Sequence, residues 1–370
     1  MIAMPLYLQK SGSFVGLVFF IVTMLLTYES IRRMSVSKSY DSIHYVDVVE
    51  RHLGYSWKIL SVICISVSTY GSAIAYIQFI QTTMSDFDGI DPMYTVPVLG
   101  ILVSVSSFFD RLESLSKFSS FGLLFSVSFG VMIVIRSFTK TSSQNSSRFR
   151  AEFFETRWDT MPSATGLAVF CNEGIVVMGI QVADKMRRSE DFLSAAAVSV
   201  FVFTIAYMSV AFAGSLLYYG NIRDEITQNL LDDLDIPSRV CANLYCIQVV
   251  LTFPIVLWMG YTQYESVWMQ SSRPPSRKTR IGVRIISVII VCIVAVTLKG
   301  FGDVLALTGS AANSINIYIL PNLCYEVAMK SVRRHRHRDR VITVLFILFG
   351  VVTGTLGTIQ STKDLIDQNT

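Results

Sequence analysis

An acidic side chain stands alone in an otherwise uncharged stretch of the sequence, and it is the first candidate for chemistry. The stretch covers residues 161–183, and its charged residue is Glu173. An ionisable group inside an apolar helix is costly, so it is a functional candidate by default. We hypothesise that Glu173 binds the amine of a ligand or carries a proton. A structural hydrogen bond to nearby backbone is the alternative.

A glycine follows Glu173 directly, and it predicts a break in the helix. Gly174 permits unwinding, although glycine also serves close helix packing. At such a break, freed N–H groups and the positive end of a helix hold a carboxylate, whereas freed carbonyl oxygens hold an ammonium or another cation. Phe170, Cys171 and Asn172 precede the break. The predicted core of a binding site therefore consists of Phe170, Cys171, Asn172, Glu173 and Gly174.

The composition places this site inside a membrane. The 370 residues are 52% hydrophobic and 16% charged, and their mean hydropathy is +0.50. Soluble domains carry about 25% charged residues. A helix needs about 20 apolar residues to cross about 30 Å of hydrocarbon, and long uncharged runs recur along the chain. The sequence therefore predicts an all-α polytopic membrane protein whose first partner is the lipid bilayer.

The uncharged runs predict eleven helices in one transmembrane domain that covers residues 1–370. The first helix is partial, and the sixth is the broken one. The predicted helices cover residues 1–10, 11–34, 57–85, 93–109, 117–137, 160–183, 192–220, 239–268, 281–299, 302–327 and 341–361.

The loop charges predict how these helices are oriented. Alternate loops hold 21 of the 31 lysines and arginines, so these loops are predicted to face inward. One outward loop is acidic (DEITQNLLDDLD), and the outward loop 139–159 contains the sequon Asn145-Ser146-Ser147. Asn145 is therefore a candidate for glycosylation. The C-terminus is predicted to be extracellular or luminal.

The polar residues that build enzyme active sites are poorly placed in this sequence. All four histidines fall in predicted inward loops, and the six cysteines have no metal-ligand spacing. We therefore predict no metal, no cofactor and no enzyme activity. The net charge of +4 needs no nucleic-acid partner, because the basic residues set the orientation.

The positions of the interruptions predict an internal repeat. The broken helix is sixth in order, and the helix five places earlier is the opening MIAMPLYLQK. Many secondary transporters consist of two inverted repeats, with a discontinuous helix in each repeat and the binding site between them. The spacing therefore predicts a five-plus-five inverted repeat with an eleventh helix appended.

Six motifs occur in the same register along nearly the whole chain. IAMPLYLQKSG opens the sequence, YGSAIAYIQFI lies in the third helix, FCNEGIVVMGIQVADKM in the sixth, AFAGSLLYYG at the end of the seventh, LTFP in the eighth and FGDVLALTGSAANSINIYILPNLCYE in the tenth. In this order they resemble the amino acid/auxin permease family. The EGI and ADKM pieces lean toward its proton-coupled amino acid transporter subgroup. The resemblance implies a LeuT-like fold and amino acid transport driven by a proton or sodium gradient.

The resemblance also shows a departure at the start of the chain. The family pattern has a Gly-x-Gly before the opening motif, and the resemblance places Ile2, Ala3 and Met4 at that first break. If residues precede Met1 in the native protein, we expect a complete transporter. If Met1 is the true start, the first helix is truncated and we expect a chain that does not transport alone.

Two side chains on other helices are implied by the same resemblance. Tyr76 matches an aromatic residue of the third helix that faces the site, where its hydroxyl would meet a substrate carboxylate; simple packing is the alternative. Thr252, beside Pro254, matches the region where sodium-coupled relatives place a hydroxyl on the ion. Hydrogen bonding to the preceding turn is the alternative that we favour for Thr252.

We therefore expect a secondary active transporter of amino acids coupled to protons. Cys171 and Gly174 are small, which suits a small neutral amino acid. Sodium coupling and a non-transporting amino acid sensor are the alternatives. The plasma membrane and a lysosome or vacuole are both compatible with the sequence.

Overall fold

The structure is a computed structural model, and it is helical throughout its described elements. It describes residues 1–38, 44–85, 96–98, 100–101, 112–172, 174–233, 235–269, 275–298, 300–331 and 337–369. The helices are α1 (Met4–Ser11), α2 (Ser13–Ser37), α3 (Tyr45–Leu53), α4 (Tyr55–Ser85), α5 (Leu112–Lys140), α6 (Ser143–Ala151), α7 (Met161–Phe170), α8 (Ile175–Lys185), α9 (Phe192–Leu217), α10 (Ile226–Asp232), α11 (Ile236–Met269), α12 (Arg277–Thr297), α13 (Phe301–Thr308), α14 (Leu320–Ser331) and α15 (His337–Asn369). Two π-helical turns, Gly309–Asn313 and Ile315–Ile319, join α13 to α14.

Nine stretches within the described residues are long and apolar enough to cross a membrane. Three of them are composite: α7 and α8 together form one span, α13, the π-helical turns and α14 form another, and the 3-10 turn Ser189–Asp191 joins α9 in a third. The eight-residue α1 is too short to cross alone. These spans confirm the all-α polytopic class. The predicted helix 93–109 lies almost wholly outside the described residues.

Several helices are longer than the hydropathy pattern predicted. The fifth helix, predicted at 117–137, is Leu112–Lys140, and the last, predicted at 341–361, is His337–Asn369. Hydropathy marks the part of a helix that crosses hydrocarbon, whereas polar turns of the same helix continue beyond it. The uncharged runs therefore give the crossings and not the helix ends.

Three short helices lie in segments that were predicted as loops. The nine-residue α3 buries Tyr45, Val46, Val48 and Val49 and carries Arg51 and His52 in its last turn. The helices α6 and α10 lie in the two predicted outward loops. Each of these loops is therefore partly folded against the bundle.

Glycines allow α7 to cross α13 and the first π-helical turn at very short range. A Cβ at Gly166 would overlap the carbonyl oxygen of Ala306, and a Cβ at Gly309 would overlap the carbonyl oxygen of Gly166. Small residues let helix backbones approach closely, which is how membrane helices gain packing energy. This crossing fixes the first half of the broken helix against α13 and the π-helical turns.

Buried ion pairs tie helices together near their ends. On the predicted inward face, Arg284 Nε of α12 lies 2.6 Å from Glu265 Oε1 of α11. On the predicted outward face, Lys10 Nζ of α1 lies 2.7 Å from Asp303 Oδ1 of α13. Such pairs add little net stability, but they fix one arrangement because separating them leaves a buried charge. The Lys10 pair therefore ties the last turn of α1 to the first turn of α13.

Candidate functional site

A cavity of about 760 Å³ lies where α1 begins and where α7 gives way to α8. Its walls come from α4, α5, α9, α11 and α13. The predicted site residues that line it are Ile2, Ala3, Met4, Tyr76, Phe170, Cys171, Gly174 and Thr252. Cavities that bind small molecules usually measure about 300–1,000 Å³, so this one has the size of a ligand site.

The start of α1 forms one end of the cavity. The Met4 N–H donates to the Met1 carbonyl oxygen over 3.2 Å, and the Tyr7 N–H donates to the Ala3 carbonyl oxygen over 3.0 Å. Pro5 stands in the first turn, where its missing N–H costs nothing. The Ile2 carbonyl oxygen accepts from the Ile226 N–H over 3.3 Å. A backbone hydrogen bond thus joins the cavity wall at Ile2 to the first residue of α10.

The break between α7 and α8 forms the facing end of the cavity. The Cys171 N–H donates to the Leu167 carbonyl oxygen over 3.1 Å, which closes the last turn of α7. Gly174 then has a φ of +78° and precedes Ile175, the first residue of α8. Side chains rarely adopt this backbone conformation, so glycine suits the break for conformational reasons. The Cys171 Sγ lies 3.4 Å from the Met4 Sδ, and this contact joins the two ends.

Asn172 and Glu173 differ from the other predicted site residues. The Asn172 side chain is fully buried, and its Nδ2 donates to the Ala168 carbonyl oxygen over 2.9 Å. Asn172 therefore bonds to the last turns of α7 and is not among the residues that line the cavity, and its binding role stays a prediction. Asparagine readily bonds to nearby backbone, which explains this conformation. Glu173 lies outside the described residues, and its role stays a prediction.

Helix ends supply the electrostatic pattern of the cavity. The helices α1 and α8 both begin there, so the positive ends of their dipoles lie at the cavity. The helix α7 ends there and presents the negative end of its dipole. None of the lining side chains among the described residues is charged. The arrangement is therefore complementary to a ligand that carries its own carboxylate and ammonium groups.

The cavity also contains polar side chains that the sequence did not single out. Tyr207 of α9 and Tyr245 of α11 line it, as do Ser72 of α4 and Gln248 of α11. The Gln248 Nε2 lies 3.4 Å from the Thr252 Oγ1, and the Gln248 Oε1 has no partner within the described chain. An amide in an apolar span, one turn before the predicted Thr252, is the signal that would have found Gln248.

Tyr76 and Thr252 both line the cavity, but their surroundings differ. The Tyr76 ring packs against Phe253 with 5.8 Å between ring centroids. The Thr252 hydroxyl lies 3.0 Å from the Gln248 carbonyl oxygen and 3.2 Å from the Val249 carbonyl oxygen. This geometry is the bonding to the preceding turn that the sequence favoured for Thr252. Whether its lone pairs also hold a cation stays a prediction.

Asn145 lies far along the chain from these residues, on α6. Its Nδ2 donates to the Leu217 carbonyl oxygen over 2.9 Å. The glycosylation of Asn145 stays a prediction.

A bundle of membrane helices whose cavity lies at an interrupted helix is an architecture that many secondary transporters share. Solved structures of such transporters share it. One is the substrate-bound outward-open state of a Na⁺-coupled sialic acid symporter, with a TM-score of 0.61 and 14% identity, covering 98% of this chain and 85% of that one. Another is MhsT in complex with L-phenylalanine, with a TM-score of 0.52 and 12% identity, covering 100% and 94%. The predicted LeuT-like fold is thereby confirmed.

The family model described as transmembrane amino acid transporter protein matches residues 1–363, so the chain belongs to this family. One relative is the sodium-coupled neutral amino acid transporter 7 of Xenopus laevis, 22% identical over 340 residues, which cover 85% of this chain and 73% of the relative. Others are the amino acid transporters ANT1 and AVT1H of Arabidopsis thaliana. ANT1 is 22% identical over 337 residues, with 86% and 76% covered, and AVT1H is 22% identical over 390 residues, with 99% and 86% covered. The resemblance to this family is confirmed, and so is the expectation of a transporter family instead of an enzyme.

Proposed function

We propose that this protein moves neutral amino acids across a membrane in symport with protons. The observation that carries the proposal is a cavity between helix ends of opposite polarity whose described lining side chains are uncharged. An α-amino acid with a neutral side chain has one carboxylate and one ammonium group, so its two charges match these helix ends. The family assignment supports the same substrate class.

Small side chains lie where the start of α1 faces the break between α7 and α8. Ala3, Cys171 and Gly174 leave room directly beside the backbone groups that would hold the ligand. The remaining cavity volume extends toward α5 and α9, and its wall there is mostly apolar. We therefore propose small neutral amino acids first, and an apolar side chain would extend toward α5 and α9.

Sodium coupling is the second candidate, and two observations favour it. A relative is named as sodium-coupled, and a solved structure of the same fold is of a Na⁺-coupled symporter. Thr252 lines the cavity and could contribute an oxygen to such an ion. We place proton coupling first because a buried carboxyl group adjoins the cavity wall, as the next subsection describes.

A transport experiment with purified protein in liposomes tests both parts of the proposal. We expect liposomes preloaded with unlabelled alanine to take up labelled alanine by exchange, since exchange needs no ion gradient. We expect an inward proton gradient without sodium to drive net uptake, because the coupled proton moves down its gradient. The measurement is uptake by protein-containing liposomes relative to empty ones.

Two outcomes would contradict the proposal in different ways. Net uptake that follows a sodium gradient and ignores the proton gradient would replace proton coupling by sodium coupling. Binding of amino acids to the purified protein without any exchange would favour the sensor instead of the transporter.

A further inference from the structure

Two acidic residues, one half-buried and one fully buried, lie next to the outward end of the cavity. Asp224 and Glu225 lie between α9 and α10, and with Ile226 they form what we call the outer segment, residues 224–226. The Glu225 residue is only 1% exposed. The Ile226 N–H bonds to the Ile2 carbonyl oxygen, so the outer segment is attached to a residue of the cavity wall.

The surroundings of Glu225 do not suit an ionised carboxylate. The side chain of Gln228 hydrogen-bonds the carboxyl group. The Glu225 Oε2 is buried and has no hydrogen-bond partner within the described residues. On the α11 side, the nearby titratable group is the Cys246 thiol. Burial of an incompletely paired charge disfavours the ionised form, which raises the pKa of a carboxyl group.

The charges around Asp224 do not relieve this cost. Lys10 Nζ lies 2.7 Å from Asp303 and 3.9 Å from Asp364, so its charge is already shared by two carboxylates. Arg223 precedes Asp224 in the chain, but its guanidinium pairs with the exposed Asp232 at 2.8 Å. Near the outer segment, the carboxyl groups of Asp224, Glu225 and Asp303 therefore outnumber the one ammonium group described, that of Lys10.

Both carboxyl groups respond to these surroundings. Burial and the neighbouring Asp224 raise the pKa of Glu225 to about 8. Burial and the nearby Asp303 raise the pKa of Asp224, although Lys10 and a hydrogen bond with the Gly302 backbone act in the opposite direction. Glu225 therefore takes up a proton near neutral pH.

We propose that Glu225 is the proton-binding site of the transport cycle and that its protonation seals the outward side of the cavity. This inference rests on the proposed function. With a proton on its carboxyl group, Glu225 is neutral and the outer segment stays packed against Ile2. Loss of that proton leaves an unpaired charge buried beside the cavity wall, and the outer segment then separates from Ile2 so that the carboxylate reaches water.

The substitution Glu225→Gln tests the proposal, because glutamine keeps the size and remains neutral. We expect this variant to retain exchange of labelled alanine, whereas its net uptake driven by a proton gradient falls to the level of empty liposomes. The matched control is Glu190→Gln, which makes the same chemical change at an exposed carboxylate just before α9 and should keep gradient-driven uptake. If Glu225→Gln shows proton-driven uptake equal to that of the wild type, the proposal is overturned. It is also overturned if Glu173→Gln loses proton-driven uptake while Glu225→Gln keeps it.

Thermal unfolding in detergent tests proton binding without any transport. A carboxyl group whose pKa is raised on folding favours the fold when protonated. This contribution is fully present below the ordinary pKa of 4.5 and is lost as the pH rises through about 8. We expect the wild-type Tm to fall as the pH rises from about 5 to 8 and the Glu225→Gln Tm to fall less. An equal fall in both proteins overturns the proposal. Absence of alanine exchange in the wild type would refute the proposed function, and this measurement would still decide the proton site.

A second variant applies if glutamine prevents folding. Asp224→Asn removes the neighbouring negative charge and should lower the pKa of Glu225. We expect the pH at which wild-type uptake declines to shift downward in this variant. An unchanged pH profile overturns the proposal.

Discussion

Replacing Gly166 by alanine is expected to abolish most of the correctly folded protein. The added Cβ would overlap the Ala306 carbonyl oxygen and lie 2.9 Å from the Ala306 carbonyl carbon. These are backbone atoms of α13, so no side-chain rotation can relieve the overlap. Overpacking a core costs about 1–3 kcal/mol even where side chains can move, and we expect a cost at or above the upper end. The measurement is the yield of monodisperse protein and its Tm in detergent.

Gly282 provides the matched control for this substitution. It lies in the helix α12, and a Cβ there would meet no atom within 4 Å. Alanine stabilises a helix by about 0.5–1 kcal/mol relative to glycine, so Gly282→Ala should fold at least as well as the wild type. Equal stability of Gly166→Ala and Gly282→Ala would show that α7 and α13 do not pack as described.

Replacing Gly174 by alanine is expected to reduce alanine exchange about tenfold or more while most of the protein still folds. A side chain at a φ of +78° costs about 1–3 kcal/mol, and 1.4 kcal/mol corresponds to about a factor of ten in an equilibrium. Space is not the reason, because the nearest atom to the added Cβ is the Met259 Sδ at 3.5 Å. The strain therefore acts on the geometry of the break. Exchange per folded protein in liposomes is the measurement.

Gly220 separates strain at the break from strain elsewhere. It has a φ of +84°, and a Cβ there would meet nothing within 4 Å. Gly220→Ala should therefore lose a similar amount of stability and keep its exchange rate. If the two variants lose exchange equally, the geometry at Gly174 has no special role in binding.

The break in the sixth helix could be predicted because its chemistry is local. A glycine beside a carboxylate in an uncharged run is visible in a few residues. Phe170, Cys171 and Gly174 all reach the cavity, since they surround the point where the backbone leaves the helix. Asn172 does not, because its amide bonds to Ala168 in the preceding turn. Residue type alone does not distinguish these two orientations.

Glu225 shows what the sequence could not provide. In the run DEITQNLLDDLD it is one of several acidic residues and reads as part of a solvated loop. Its burial arises only in the assembled bundle, where α10 packs against α11 and α4 and Ile226 bonds to Ile2, more than two hundred residues away in the chain. Tyr207, Tyr245 and Gln248 were missed for a related reason. Aromatic and amide side chains in apolar helices mostly pack against neighbours, and only the assembled bundle shows which ones face a cavity.

We propose above all that amino acids cross the membrane through the cavity between the start of α1 and the break between α7 and α8. Filling this cavity tests the proposal directly. Ala206 of α9 lines the cavity, whereas Ala195 of the same helix is exposed and does not. Each is replaced by tryptophan, and exchange of labelled alanine is measured in liposomes. The account predicts exchange by the wild type and by Ala195→Trp, and none by Ala206→Trp. Undiminished exchange by Ala206→Trp would contradict it.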